Sequence, residues 1–163
     1  NTDYFGFKES VRDIGISQKT CMVLGSGGSA RTVVKVLTDL GGRAILVSRD
    51  SEKAKSKFKD FNVEIRNYSE ISGVIGKIIV NTTPVGMKRD GVPVPEDIIG
   101  NFEYALDLIY NPQETNFLKL ANKKRNGLYM LAAQGVKSQE IWNNKKIDLD
   151  KVYEKFKKEV IRR

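Results

Sequence analysis

The residues best placed to do chemistry form a short glycine loop. Val23-Leu24-Gly25-Ser26-Gly27-Gly28-Ser29-Ala30 fits G-x-G-x-x-A, with an apolar run before it and a helical pattern after it. Gly25 permits a tight turn, Gly27 lets the backbone approach a pyrophosphate, and Ala30 lets the helix pack close to the strand. The free N–H groups of the first helical turn then meet the phosphates. No Gly-Lys-Ser/Thr follows, so this is not a P-loop. The bland alternative is a strand–helix turn that binds nothing.

A second cluster bears on which dinucleotide would bind. An NAD domain carries Asp or Glu about 20 residues after the loop, where it holds the ribose 2′-hydroxyl. Here the second strand ends Leu46-Val47-Ser48-Arg49-Asp50. Ser48 replaces the acid, Arg49 follows, and Lys53 lies one helical turn beyond, so both cations can face one point. That pattern suits a 2′-phosphate. At about 1–2 kcal/mol per charge-assisted contact, the pair predicts a roughly hundredfold preference for NADP. Asp50 opposes this if it points inward, where it would favour NAD.

Other chemistries are excluded by composition. The chain has no histidine, which removes His metal ligands, Ser-His and Cys-His nucleophiles and His acid–base catalysis. The single cysteine, Cys21, lies in an apolar run and reads as a buried thiol. The net charge of +8 suggests a polyanion partner, but its distribution argues otherwise. Residues 1–122 carry 16 basic and 15 acidic side chains, and residues 123–163 carry 12 and 5. The excess lies in C-terminal segments such as Asp150 to Arg163, where Val152, Phe156 and Val160 recur at helical spacing, as in a solvated amphipathic helix. Nucleic-acid binding is not expected. No apolar stretch approaches the ~20 residues of a membrane span. A cytoplasmic protein, monomeric or homodimeric, is the expectation.

The elements that must position these residues alternate. Thr20–Leu24 reads as a strand, 30–40 as a helix ended by Gly41-Gly42, and Ala44–Val47 as a strand. A charged helix over 51–61, a weak strand at 63–65 and a β-branched strand at 77–80 follow. Then come a strand at 104–108, a helix over 115–123, and a short sixth strand at Leu128-Tyr129 running into a helix that reaches Trp142. Before them, Asp3–Ile14 reads as a helix with Phe7, Val11 and Ile14 on one face and Thr2 or Asp3 as its cap. The pattern predicts an α/β fold. It is a Rossmann-like, doubly wound, mainly parallel six-stranded sheet with helices on both faces, and ligands lie at the carboxyl ends of its strands. At 163 residues, one domain can bury roughly 70% of its unfolded surface.

Several motifs in order resemble the NADP-binding, C-terminal half of shikimate dehydrogenase. They are Asn1-Thr2-Asp3 with Gly6-Phe7, the Gly25 loop, Ser48-Arg49, and Asn81-Thr-Thr-Pro-Val-Gly-Met87. Asp107-Leu-Ile-Tyr110-Asn-Pro112 with Thr115, and Asn126-Gly127-Leu-Tyr-Met130-Leu-Ala-Ala-Gln134, complete the series. The resemblance implies reversible reduction of 3-dehydroshikimate to shikimate with NADPH, on the route to aromatic amino acids. It implies that Asp3 is the catalytic aspartate, also touching substrate, and that Tyr110 and Gln134 bind substrate. Gly25, Ser26, Gly27, Gly28 and Ser29 match the pyrophosphate loop, and Ser48, Arg49 and Lys53 the adenosine-phosphate pocket. Many members have Asn and Thr where this chain has Ser48 and Asp50. Thr83, Leu108 and Gly127 match strand ends at the nicotinamide. The family's catalytic lysine lies in an N-terminal substrate domain that this sequence does not contain, and Lys8 is only a conceivable substitute. The implied organisation is a connecting helix over 1–14, a cofactor domain over 15–145, and a C-terminal helix over 146–163 that packs on that domain or on the substrate domain. A quinate/shikimate dehydrogenase using NAD or NADP, and an isolated NADP-binding module without activity, remain alternatives.

Overall fold

A computed structural model describes residues 1–161. Arg162 and Arg163, the end of the expected C-terminal helix, lie outside the described residues. Six strands form one sheet: β1 (Thr20–Leu24), β2 (Arg43–Val47), β3 (Glu64–Arg66), β4 (Gly76–Asn81), β5 (Phe102–Asp107) and β6 (Lys123–Arg125). Their order is β3-β2-β1-β4-β5-β6, and every pairing is parallel. The helices are α1 (Thr2–Ser10), α2 (Gly28–Asp39), α3 (Ser51–Lys57), α4 (Glu96–Gly100), α5 (Asn116–Lys119), α6 (Leu128–Asn143) and α7 (Leu149–Ile161).

The central strands carry apolar runs because both of their faces are covered, as a parallel sheet requires. Side chains alternate between the faces. Cys21, Val23, Leu46, Ile78, Val80 and Leu106 form one core with Phe7 and Val11 from the α1 segment, Val33 and Leu37 of α2, and Ala54 of α3. Met22, Leu24, Ile45, Val47, Ile79 and Ala105 form the other with Ile98 and Ile99 of α4 and Phe117 and Leu118 of α5. Cys21 is buried, and burial pushes its thiol up to about 12.

The sixth strand departs from expectation. Leu128 and Tyr129 open α6 instead, because Asn126 Oδ1 accepts the Leu128 N–H (3.1 Å) and starts the helix there. The strand is Lys123–Arg125, which pairs with Tyr104–Leu106. It lies at the sheet edge, where charged side chains are favoured and apolar patterning is lost. Lys123 pairs with Glu103 (2.9 Å), and Arg125 pairs with Asp13 through two 2.6 Å hydrogen bonds. Three helices are shorter than their patterns. The first ends at Ser10, whose hydroxyl turns back to the Phe7 carbonyl (2.7 Å). Val11 and Ile14 still reach the core from the turn that follows. The third ends at Lys57, leaving Phe58 and Phe61 as a ring pair over the core, and the fifth spans only Asn116–Lys119. Asn1, not Thr2 or Asp3, caps α1, accepting the Asp3 N–H (2.9 Å).

α6 and α1 lie side by side and antiparallel. Arg125, just before α6, donates to the Ser10 carbonyl (2.8 Å), and Lys137 sits over the Phe5 ring. Their close approach depends on Gly6, where a Cβ would stand 2.6 Å from the Met130 carbonyl oxygen and 3.1 Å from Gln134 Cβ. α7 packs on α6: Tyr129 and Tyr153 meet edge to face, and Asp150 accepts from Tyr129 Oη (2.9 Å) and Arg12.

Candidate cofactor and active site

The strand order reverses between β1 and β4, and the candidate residues gather where those strands end. β1 runs into Gly25 at φ +101°, a conformation that L side chains rarely adopt. The Gly25 N–H donates to the Val47 carbonyl (2.8 Å), which joins the loop to the end of β2. A Cβ on Gly25 would stand 2.9 Å from Thr83 Cγ2 and 3.0 Å from Thr82 Oγ1, so the loop also rests on the segment after β4. Beyond it Gly27 and Gly28 open α2, and among the described residues no atom beyond their own chain neighbours and helix backbone comes within 4 Å of either Cβ position. No side chain caps this helix, and its first turn holds no acid. Ser29 lies exposed in the same turn.

Ser48 is buried, and its hydroxyl lies 3.1 Å from that of Ser26 and 3.1 Å from the Asp50 carbonyl, while accepting the Asp50 N–H (3.3 Å). This hydrogen-bonded corner locks the end of β2 to the glycine loop. Asp50 caps α3: its Oδ1 accepts the Lys53 N–H (2.9 Å). Arg49, Asp50 and Lys53 are exposed, and neither Arg49 nor Lys53 has an ion-pair partner among the described residues.

On the other side of the reversal the loops are stitched in sequence. Thr82 donates to the Leu24 carbonyl from both its N–H (3.0 Å) and its hydroxyl (2.6 Å). The Leu108 N–H donates to the Asn81 carbonyl (3.1 Å), and the Gly127 N–H to the Ile109 carbonyl (3.1 Å). Gly127 sits so close to Leu108 that a Cβ there would overlap the Leu108 carbonyl. Tyr110 extends from this rim, 43% exposed.

Asp3 and Gln134 lie on the neighbouring helices α1 and α6. Asp3 is exposed one turn before Gly6, and Gly6 touches Gln134. Gln134 Nε2 donates to the Leu131 carbonyl (3.1 Å). No lysine pairs with Asp3 among the described residues, and the Lys8 charge acts on Asp39.

Three further residues organise the rim. Asn81 and Asp107 face each other in register as the last residues of β4 and β5. Asp107 is 1% exposed and Thr115 2%. Asp107 Oδ1 accepts from Asn81 Nδ2 (3.1 Å) and the Ile109 N–H (3.0 Å), and Oδ2 accepts from Thr115 Oγ1 (2.7 Å). Burial raises the Asp107 carboxyl above its ordinary value, against the pull of these hydrogen bonds. Asn81 Oδ1 accepts in turn from the Thr83 N–H (3.0 Å) and hydroxyl (2.7 Å). The available signal was a polar residue closing each of two apolar strands.

A six-stranded parallel sheet of this order, with helices on both faces and a glycine turn at the reversal, defines the Rossmann-like class. A scan against protein-family models finds no match. Within the class the chain is homologous, over most of its own length, to shikimate dehydrogenases. It is 44% identical over 170 residues to the NADP(+) shikimate dehydrogenase of Clostridium perfringens (strain 13 / Type A), covering 96% of this chain and 63% of that protein. It superposes on a chorismate mutase/shikimate 5-dehydrogenase fusion protein from Clostridium acetobutylicum with a TM-score of 0.90 at 40% identity, over 98% of this chain and 62% of that one. The shikimate 5-dehydrogenase of Thermus thermophilus, solved with NADP(H) and shikimate, gives 0.86 at 28% identity, over 97% and 62%. The chain thus spans about three fifths of the length of these relatives.

Proposed function

We propose that this chain is the cofactor-binding part of an NADP-dependent shikimate dehydrogenase, acting in the cytoplasm in the reversible reduction of 3-dehydroshikimate to shikimate. The observation that carries the reading is the uncapped start of α2 beyond Gly25, next to two cations without ion-pair partners among the described residues. A pyrophosphate fits there: the free N–H groups of Gly27, Gly28 and Ser29 aim at it, and no Cβ fills the space. Gly25 and Ser26 shape the approach, and the Ser26–Ser48 contact holds the adenosine side in place. Arg49 and Lys53 take the 2′-phosphate. Thr83, Leu108 and Gly127 offer backbone groups at the nicotinamide end.

Bound NADPH supplies the hydride. The chain's residues then manage position and protons. Tyr110 and Gln134 hold the substrate's hydroxyl and carboxylate groups. Asp3 touches substrate and keeps a catalytic lysine of the substrate domain charged and aimed at the ketone oxygen, which takes up the lysine's proton. The domain limits proposed are a connecting segment over 1–14, the cofactor domain over 15–145 and the helical tail over 146–163. No nucleic acid or membrane takes part; among the described residues no helix is long and apolar enough to cross one. The protein acts as a monomer or homodimer.

Titration calorimetry tests the cofactor. NADP+ binds roughly a hundredfold tighter than NAD+, from two charge-assisted contacts of about 1–2 kcal/mol each. NAD+ binding as tight as NADP+ refutes the assignment. It favours the second reading, a quinate/shikimate dehydrogenase tolerant of NAD, which Asp50 beside Arg49 keeps in play. With no lysine paired to Asp3 among the described residues, this chain alone leaves shikimate unoxidised; turnover at about 1–10³ s⁻¹ contradicts that.

A further inference from the structure

The buried Asp107 carboxylate belongs to no role proposed so far, and no cation pairs with it among the described residues. Its two oxygens hold three groups on three segments. One is the Asn81 amide, which fixes Thr83 through both the backbone N–H and the hydroxyl. The second is the Ile109 N–H, next to Leu108, whose segment receives the Gly127 N–H. The third is Thr115 at the start of α5, where the loop after β5 ends. A solvent-facing loop would hold such groups loosely. A carboxylate with every partner buried or half-buried holds them in one geometry. A neutral side chain would have spared the desolvation of a charge, so the site spends stability on this anchor.

We infer that Asp107 is a positioning residue for the nicotinamide half of the site, setting Thr83, Leu108 and Gly127 through Asn81 and Ile109 while leaving the adenosine half untouched. The inference rests on the cofactor reading above. In a doubly wound sheet the two mononucleotide halves bind on opposite sides of the reversal. The adenosine side, with Ser26, Ser48, Arg49 and Lys53, has no hydrogen bond to the Asp107 network among the described residues. A lost network therefore weakens only ligands that carry the nicotinamide.

The test compares two ligands on this chain, NADP+ and 2′,5′-ADP, which lacks the nicotinamide half. Asp107→Ala lowers NADP+ affinity about tenfold, the equivalent of one buried charge-assisted hydrogen bond. Its 2′,5′-ADP affinity stays within about twofold. Asp107→Asn can accept from Asn81 and Ile109 and donate to Thr115, and it recovers most of the loss. If Asp107→Ala does not fold, Thr115→Val and Thr115→Ser replace it: Val weakens NADP+ selectively and Ser does not. Equal loss of both ligands, or no loss of either, overturns the inference. Failure of the unaltered chain to bind 2′,5′-ADP instead overturns the cofactor reading.

Discussion

Three glycines of one loop separate structure from binding at the scale of single residues. Gly25 is confined by its positive φ and by Thr82 and Thr83. Gly25→Ala should cost about 1–3 kcal/mol of stability through backbone strain and overpacking. Gly27 and Gly28 are confined by no described protein atom. Gly27→Ala should therefore leave stability within about 1 kcal/mol and weaken NADP+ at least about tenfold, by obstructing the pyrophosphate. Urea unfolding and calorimetry on both variants check the contrast, and equal stability losses would sink it. Asp107 gives a second prediction. Its raised folded value means that the native state holds the proton more tightly than the unfolded chain. That contribution is full below the ordinary carboxyl value of 3.8 and is lost as pH rises through the folded value. Asp107→Asn removes the titration, so its stability relative to the unaltered protein rises across this window and then levels off. Unfolding curves of both proteins from about pH 4 to 7 check the sign; a pH-independent difference contradicts it.

At the scale of elements, what was legible followed the chemistry of burial. β1, β2, β4 and β5 are buried on both faces, so their apolar runs announced them within a residue or two. β6 was misplaced because an edge strand of Lys123, Lys124 and Arg125 is held by ion pairs and backbone pairing, which leave no apolar period. The glycine loop was legible as a strand–helix turn because local backbone demands dictate residue type there, whereas the Ser26–Ser48–Asp50 hydrogen bonds, which link side chains 22 residues apart, were not. The Asp107–Asn81 anchor was not, since it exists only once register sets two distant strand ends side by side. The same limit applied to Gly6, whose role depends on α6 far along the chain. Gly6→Ala should destabilise the protein by about 1–3 kcal/mol by forcing α1 from the Met130 carbonyl. Denaturant titration reads this directly, and an unchanged midpoint would show that the helices can separate freely.

Across the whole molecule, the candidate cofactor residues lie around one reversal of strand order, while Asp3 and Gln134 ride on the helix pair α1 and α6. That helix pair joins distant parts of the chain: Ser10 and Leu128 are separated by about 118 residues. A ribosome adding about 5–20 residues each second needs about 6–24 s to cover that distance. Throughout it, α1 lacks α6, and the side of α1 that carries Gly6 stays open to water. The nascent protein thus displays an unfinished helix face after most of the sheet's residues have already been synthesised.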